Sequence, residues 1–142
     1  MITVKQILDT KGYEVSAIDA NASVLAAIRL LADKGIGALL VTDGGRAVGL
    51  VSERDYARKV ALQGRSSERT LVRDIMETRV PAARLDQDIE ECMAVMTEKR
   101  VRHLPVTDAE GVLGIISIGD LVKAIIAHQQ YTIAQLERYI SG

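Results

Sequence analysis

Four polar residues at matched spacing carry the most chemistry in this chain of 142 residues. Ser52 and Asp55 close the stretch "GLVSERD", Gly49 to Asp55, and Ser117 and Asp120 close "GIISIGD", Gly114 to Asp120. In both, an apolar strand-like run ends at the serine, where a helix should begin. A serine there can cap the helix, and the free N–H groups beside it can receive a phosphate. The aspartate falls in the first helical turn, where one carboxylate can accept hydrogen bonds from two neighbouring hydroxyls, as a ribose presents. Ser-x-x-Asp is also an ordinary helix start, with the serine as cap and the aspartate favouring the helix dipole. Both roles can hold at once. The glycine in each strand lets another group approach the backbone closely.

The two stretches belong to one unit written twice. "KGIGALLVTD", from Lys34, matches "KRVRHLPVTD", from Lys99, at the 65-residue offset that also separates Asp55 from Asp120. "VKQIL", from Val4, matches "VRDIM", from Val72, at an offset of 68, so the difference falls in loops around the first strand of each half. Each half reads as a helical turn, an extended segment, an amphipathic helix, two short strands and a final helix. Thr3 with Gln6 has capping-box spacing at the first turn. Val24, Leu25, Ile28 and Leu31 share one helical face in the first half, as do Ile89, Cys92, Met93 and Met96 in the second. "TDGGR" and "TDAEG" supply hairpin turns between the strands. The order predicts an α/β (α+β) fold, each repeat a small three-stranded sheet with two packed helices. The expected divisions are a first repeat at 1–62, a linker at 63–70, a second repeat at 71–127 and a C-terminal helical extension at 128–142. A unit of that size is marginal alone, so the two should pack together. In the extension, Tyr131, Ile133, Leu136 and Ile140 give a helix with an apolar side, suited to an interface or a lid.

Composition narrows the function classes. Hydrophobic residues at 48% can build a core, which is mostly aliphatic because Phe and Trp are absent. A net charge of −1 gives no electrostatic reason for a nucleic-acid or membrane surface, and the scarcity of aromatics removes stacking platforms for single strands. No signal peptide or membrane span is expected, which makes cytoplasmic residence the default. The lone Cys92 cannot form an internal disulfide and sits at an apolar helical position, as a buried thiol would. His103, before Leu104 and Pro105, has no second histidine at metal-ligand spacing, so a phosphate or base contact suits it better than zinc. His128 reads as a solvated helical residue.

With those residues in view, the chain resembles a cystathionine-β-synthase (CBS) domain pair. The resemblance rests on the two-unit layout, on "RHLPV" in the second half and on the Gly-apolar-apolar-Ser-x-x-Asp motif in both, and covers about Val4 to Ala127. "SERDYARKVALQGRSS" is further similar to small stand-alone CBS-pair proteins. The resemblance implies a pseudo-twofold pair (a Bateman module) with two clefts, each built from both halves. It implies one nucleotide site from Ser52, Arg54, Asp55, Arg58, Lys59, Val80, Pro81, Arg102 and His103. It implies a second from Ser117, Asp120, Val15, Ser16, Gly37 and Ala38. Arginine makes planar paired contacts with phosphate, so the first site should prefer a charged nucleotide. The second motif has only Lys123 near it in sequence and should bind phosphate more weakly, or adenosine alone.

The implied function is a regulatory, signal-transducing module that binds AMP, ADP, ATP or NAD(H), or S-adenosylmethionine, and modulates a partner protein in trans. Related stand-alone proteins of plants are associated with thioredoxin regulation. The resemblance also implies a homodimer of pairs and no catalytic cofactor. An enzyme is disfavoured, since no nucleophile–base–orienter set is visible and Glu90 and Glu91 read as the solvated side of a helix. A scaffold whose pockets have decayed is the remaining alternative.

Overall fold

A computed structural model describes residues 1–141; Gly142, the end of the expected extension, lies outside the described residues. The chain runs α1 (Val4–Lys11), β1 (Ala17–Asp19), α2 (Val24–Lys34), β2 (Ala38–Asp43), β3 (Arg46–Ser52), α3 (Glu53–Tyr56), α4 (Ile89–Lys99), β4 (His103–Asp108), β5 (Gly111–Ser117) and α5 (Ile118–Ser141). A π-helical turn, Ala57–Ala61, continues α3, and a 3-10 turn, Val72–Asp74, stands where the second repeat opens.

Two compact units result, and their borders cut across the sequence repeats. One is Glu14–Val80; the other joins Met1–Tyr13 to the chain from Pro81 onward. The opening of each repeat thus belongs to the unit of the other repeat. In the unit that contains α1, the N–H groups of Val4 and Lys5 donate to the carbonyls of Gln87 and Leu85, both at 2.9 Å. In the other unit, Val72 and Arg73 donate to Ala22 and Ala20, again at 2.9 Å. These partners sit at matching repeat positions, so one docking rule is written twice. Burial of the docked residues explains its strength: Val4, Leu8 and Val72 have no solvent exposure.

The capping box expected at Thr3 and Gln6 is present, and it fixes where α1 starts. The expected faces of α2 and α4 are partly redistributed. Val24, Ala27 and Leu31 are buried on α2, with Leu25 and Ile28 at its half-buried flank; Ile89, Cys92 and Met96 are buried on α4, with Met93 beside them. Gly44 and Gly45 both take positive φ, as the tight β2–β3 turn requires.

The first unit holds a three-stranded sheet, β1 parallel to β2 and β2 antiparallel to β3. The second holds the β4–β5 hairpin, and its third strand shrinks to a single parallel bridge between Ala83 and Val106. Proline explains the loss. In the first sheet the Leu40 N–H donates to the Ser16 carbonyl at 3.0 Å. The matching residue of β4 is Pro105, which has no N–H to give. Only the flanking bonds survive, Ala83 to Pro105 at 2.8 Å and Thr107 to Ala83 at 2.9 Å.

The final helix and the C-terminal extension, expected as separate helices, are one. Helix α5 runs unbroken for 24 residues because no proline or glycine interrupts it beyond Gly119.

Candidate functional site

Ser52 ends β3 and caps α3. Its Oγ accepts the Asp55 N–H at 3.3 Å, while Asp55 Oδ2 accepts the Ser52 N–H at 2.9 Å and the Ser52 hydroxyl at 3.1 Å. The second copy repeats this. Asp120 Oδ2 accepts the Ser117 N–H at 2.8 Å, and Ser117 Oγ accepts the Asp120 N–H at 3.1 Å. The capping role of both motifs is therefore present, and it orients each carboxylate. One residue on from each serine, the helix's first N–H is also taken. Glu53 donates to the Gly37 carbonyl at 3.1 Å, and Ile118 donates to the Arg102 carbonyl at 2.9 Å.

The motif glycines have a packing reason. A Cβ on Gly49 would lie 2.5 Å from the Glu77 carbonyl oxygen and 3.3 Å from the Met76 sulfur. A Cβ on Gly114 would lie 2.9 Å from Leu8 Cδ2. Leu8 and Met76 are matching residues of the two exchanged opening segments. The group that approaches each glycine is thus the protein itself.

The two carboxylates differ in their cations. Asp55 is 8% exposed and pairs with Lys59, one helical turn on, at 3.2 Å. Lys59 also donates to the Ile75 carbonyl at 2.8 Å and to Glu77 at 2.6 Å. Burial alone would lower the Lys59 pKa, but Glu77 and Asp55 outweigh it and hold the ammonium above its usual value. Lys59 is therefore clamped inside its own unit. Arg58 and Arg102 are exposed, and Arg54, His103, Val80 and Pro81 are half-buried.

Asp120 has a partner that the spacing of its own repeat conceals. Lys11, in the last turn of α1, donates to Asp120 Oδ2 at 2.7 Å and to the Ile115 carbonyl at 2.6 Å. This corrects the expectation that Lys123 alone supplies positive charge there. Comparison within one repeat misses Lys11 because α1 is written in the first repeat and packs in the second repeat's unit. The available signal is that Lys11 recurs as Arg79 at the 68-residue offset. Burial pushes the Asp120 carboxyl upward, yet hydrogen bonds from Lys11 and Ser117 prevail and hold it below the usual carboxylate range.

Beside this pair lies a cavity of about 600 Å³ between α1 and α5. Ile2, Ile7, Ala124 and Ala127 give it apolar walls, and Gln6, Thr10, Lys11, Asp120, Lys123 and His128 give it polar groups. Small-molecule sites commonly have this size and this balance. Of the residues expected at the second site, Ser117 and Asp120 lie in this unit; Val15, Ser16, Gly37 and Ala38 lie in the Glu14–Val80 unit, with Ala38 buried. Of the first set, Ser52, Arg54, Asp55, Arg58, Lys59 and Val80 lie in the Glu14–Val80 unit, and Pro81, Arg102 and His103 in the other.

Cys92 is fully buried, and its thiol is pushed up to about 11 by burial and by Glu91 and Asp88. Burial and the raised pKa keep the thiol protonated, as suits a structural cysteine. Among the described residues no cluster of three or more His, Cys, Asp or Glu could hold a metal, and no helix is long and apolar enough to cross a membrane.

Two repeats of strand, helix, hairpin and helix, each with a Ser-x-x-Asp start to its last helix, define a tandem two-unit module. The chain belongs to the CBS domain family, which matches residues 3–62 and 72–127. It is 32% identical to the CBS domain-containing protein CBSX3, mitochondrial, of Arabidopsis thaliana, over 99% of this chain and 72% of that protein. Its fold matches a putative signal-transduction protein with CBS domains from Burkholderia ambifaria with a TM-score of 0.86 and 53% identity, covering 90% of this chain and 96% of that one. A hexameric CBS-CP12 protein from bloom-forming cyanobacteria matches with a TM-score of 0.77 and 26% identity, over 86% of this chain and 70% of that one. CBS domains generally bind adenosine-containing ligands, and small stand-alone pairs are generally regulatory.

Proposed function

We propose that this CBS pair senses an adenosine-containing anion, AMP, ADP, ATP or NAD(H), and passes the signal to a partner protein in trans. The observation that carries this reading is the cavity at Asp120. A carboxylate suited to ribose hydroxyls shares it with two lysines, a histidine and apolar walls. Asp120 is already ionised and oriented, so a ribose would meet an acceptor that needs no rearrangement. Lys11 and Lys123 favour phosphate and disfavour the sulfonium of S-adenosylmethionine. Asp55 is the corresponding ribose acceptor of the other unit, with Arg54 and Arg58 as its cations. A ligand can switch the protein only through unequal affinity for two arrangements, so tight binding alone would not regulate.

Calorimetry on protein stripped of carried-over nucleotide tests this reading against AMP, ATP, NADH and S-adenosylmethionine. The phosphate-bearing compounds should bind, and Asp120→Asn should weaken them by roughly tenfold or more, the loss of one charge-assisted contact. Absence of binding by every adenosine compound would leave a dimeric scaffold as the better account. Steady turnover of a nucleotide would point to an enzyme instead.

A further inference from the structure

At one end of the cavity beside Asp120, Lys11 of α1 donates to the carboxylate at 2.7 Å, which sets an acceptor and a cation side by side. Gln6 lies about 7.5 Å before Lys11 along α1, and His128 about 12 Å beyond Asp120 along α5. Both line the same cavity. Its apolar walls between these groups include Ile7 of α1 and Ala124 and Ala127 of α5. The two alanines follow Asp120 at helical spacing on its own side of α5, and their small side chains leave space for a flat group. A ligand with its ribose at Asp120 and its phosphate at Lys11 directs its base along these walls, towards Gln6.

Gln6 is already oriented by the start of its helix. Its Oε1 accepts the Thr3 N–H at 2.8 Å in the capping box of α1, and Thr3 Oγ1 accepts the Gln6 N–H at 3.4 Å. The cap turns the amide oxygen to the helix start, so the group that Gln6 presents to a ligand is its NH2, a donor only. We propose that Gln6 reads the base of the ligand held at Asp120, its amide donating to ring nitrogen N1 on the adenine edge farthest from the ribose. In adenine that nitrogen accepts a hydrogen bond, whereas in a 6-oxopurine it carries a hydrogen. A fixed donor therefore admits the first base and rejects the second. This role of Gln6 rests on an adenosine ligand at Asp120. The matching residue of the other repeat is Asp74, an acceptor, so a base preference that answers to Gln6 belongs to the Asp120 cavity.

Calorimetric titration of adenosine, inosine and 1-deazaadenosine into the nucleotide-free full chain tests this role, with uncharged nucleosides keeping phosphate out of the comparison. The native chain should bind adenosine roughly tenfold more tightly than inosine or 1-deazaadenosine, each of which leaves the donor unpaired. Gln6→Glu keeps the capping box, because glutamate serves in that position as glutamine does, yet it replaces the donor by an acceptor. It should reverse the preference, so that inosine binds more tightly than adenosine. Gln6→Ala should leave no preference in either direction. Equal affinity of the native chain for all three nucleosides would overturn the role, as would an adenosine preference that persists in Gln6→Glu or Gln6→Ala. If adenosine and AMP both fail to bind the native chain, the adenosine reading itself falls and the role of Gln6 falls with it.

Discussion

Asp55 and Asp120 hold the same place in the two repeats, yet they find their lysines in different ways. Asp55 takes Lys59 from its own helix, four residues on, and Lys59 is further clamped by Glu77 and the Ile75 carbonyl. Asp120 takes Lys11 from 109 residues away, at the rim of an open cavity. The same motif thus has its lysine held by three partners in one unit and set at the rim of a ligand-sized space in the other. The difference arises from the exchange of opening segments between repeats, because that exchange sets which side chains arrive at each aspartate.

The exchange can be broken at either end. Leu8→Ala empties a fully buried site and should cost about 2–5 kcal/mol, measured by urea unfolding. The two motif glycines should then separate. Gly49→Ala drives a methyl against a carbonyl that is itself held by the Leu50–Glu77 backbone pair, at 3.0 and 2.8 Å, and should cost about 3 kcal/mol. Gly114→Ala meets only the end of the Leu8 side chain, which can turn aside, and should cost about 1 kcal/mol. Combining Gly114→Ala with Leu8→Ala should cost less than the two separately, because the new methyl enters the space that Leu8 leaves. Equal costs at the two glycines would mean that the two docked segments yield alike.

The helix ends before the two hairpins offer a smaller contrast. Gly35 ends α2 at a φ of 63°, and the matching Arg100 ends α4 at 55°, a left-handed conformation that glycine adopts more easily. Arg100→Gly should stabilise the protein by up to about 1 kcal/mol, seen as a raised thermal midpoint. The ion pairs differ in their response to acid. The Asp120 carboxyl sits below its ordinary value of 3.8 in the folded chain, so its contribution is complete above that pH and is lost as pH falls through the folded value. Lys11→Met should move the acid limb of the stability curve to higher pH and flatten it.

Much of this architecture can be read from residues alone. Thr3 and Gln6 announce the first helix, Gly44 and Gly45 the first hairpin, and the twin Ser-x-x-Asp spacing the two helix starts. What escapes such reading depends on distant partners. Nothing local to Gly49 or Gly114 says whether a ligand or a side chain will approach, and Leu8 and Met76 decide it from the other repeat. Pro105 looks like any strand residue in "HLPV" until the missing Leu40-type hydrogen bond reveals why the second sheet lacks a full third strand. Lys11 escapes for the same reason as Leu8: it is written in one repeat and works in the other's unit.

The claim that matters most is that the cavity at Asp120 takes the phosphate end of an adenosine ligand, with Lys11 at its rim. Calorimetric titration of AMP and of adenosine into the native chain and into Lys11→Met addresses it directly. The account predicts that the native chain prefers AMP over adenosine and that Lys11→Met reduces this preference by roughly tenfold, with adenosine affinity little changed. An AMP preference that survives Lys11→Met undiminished would contradict it.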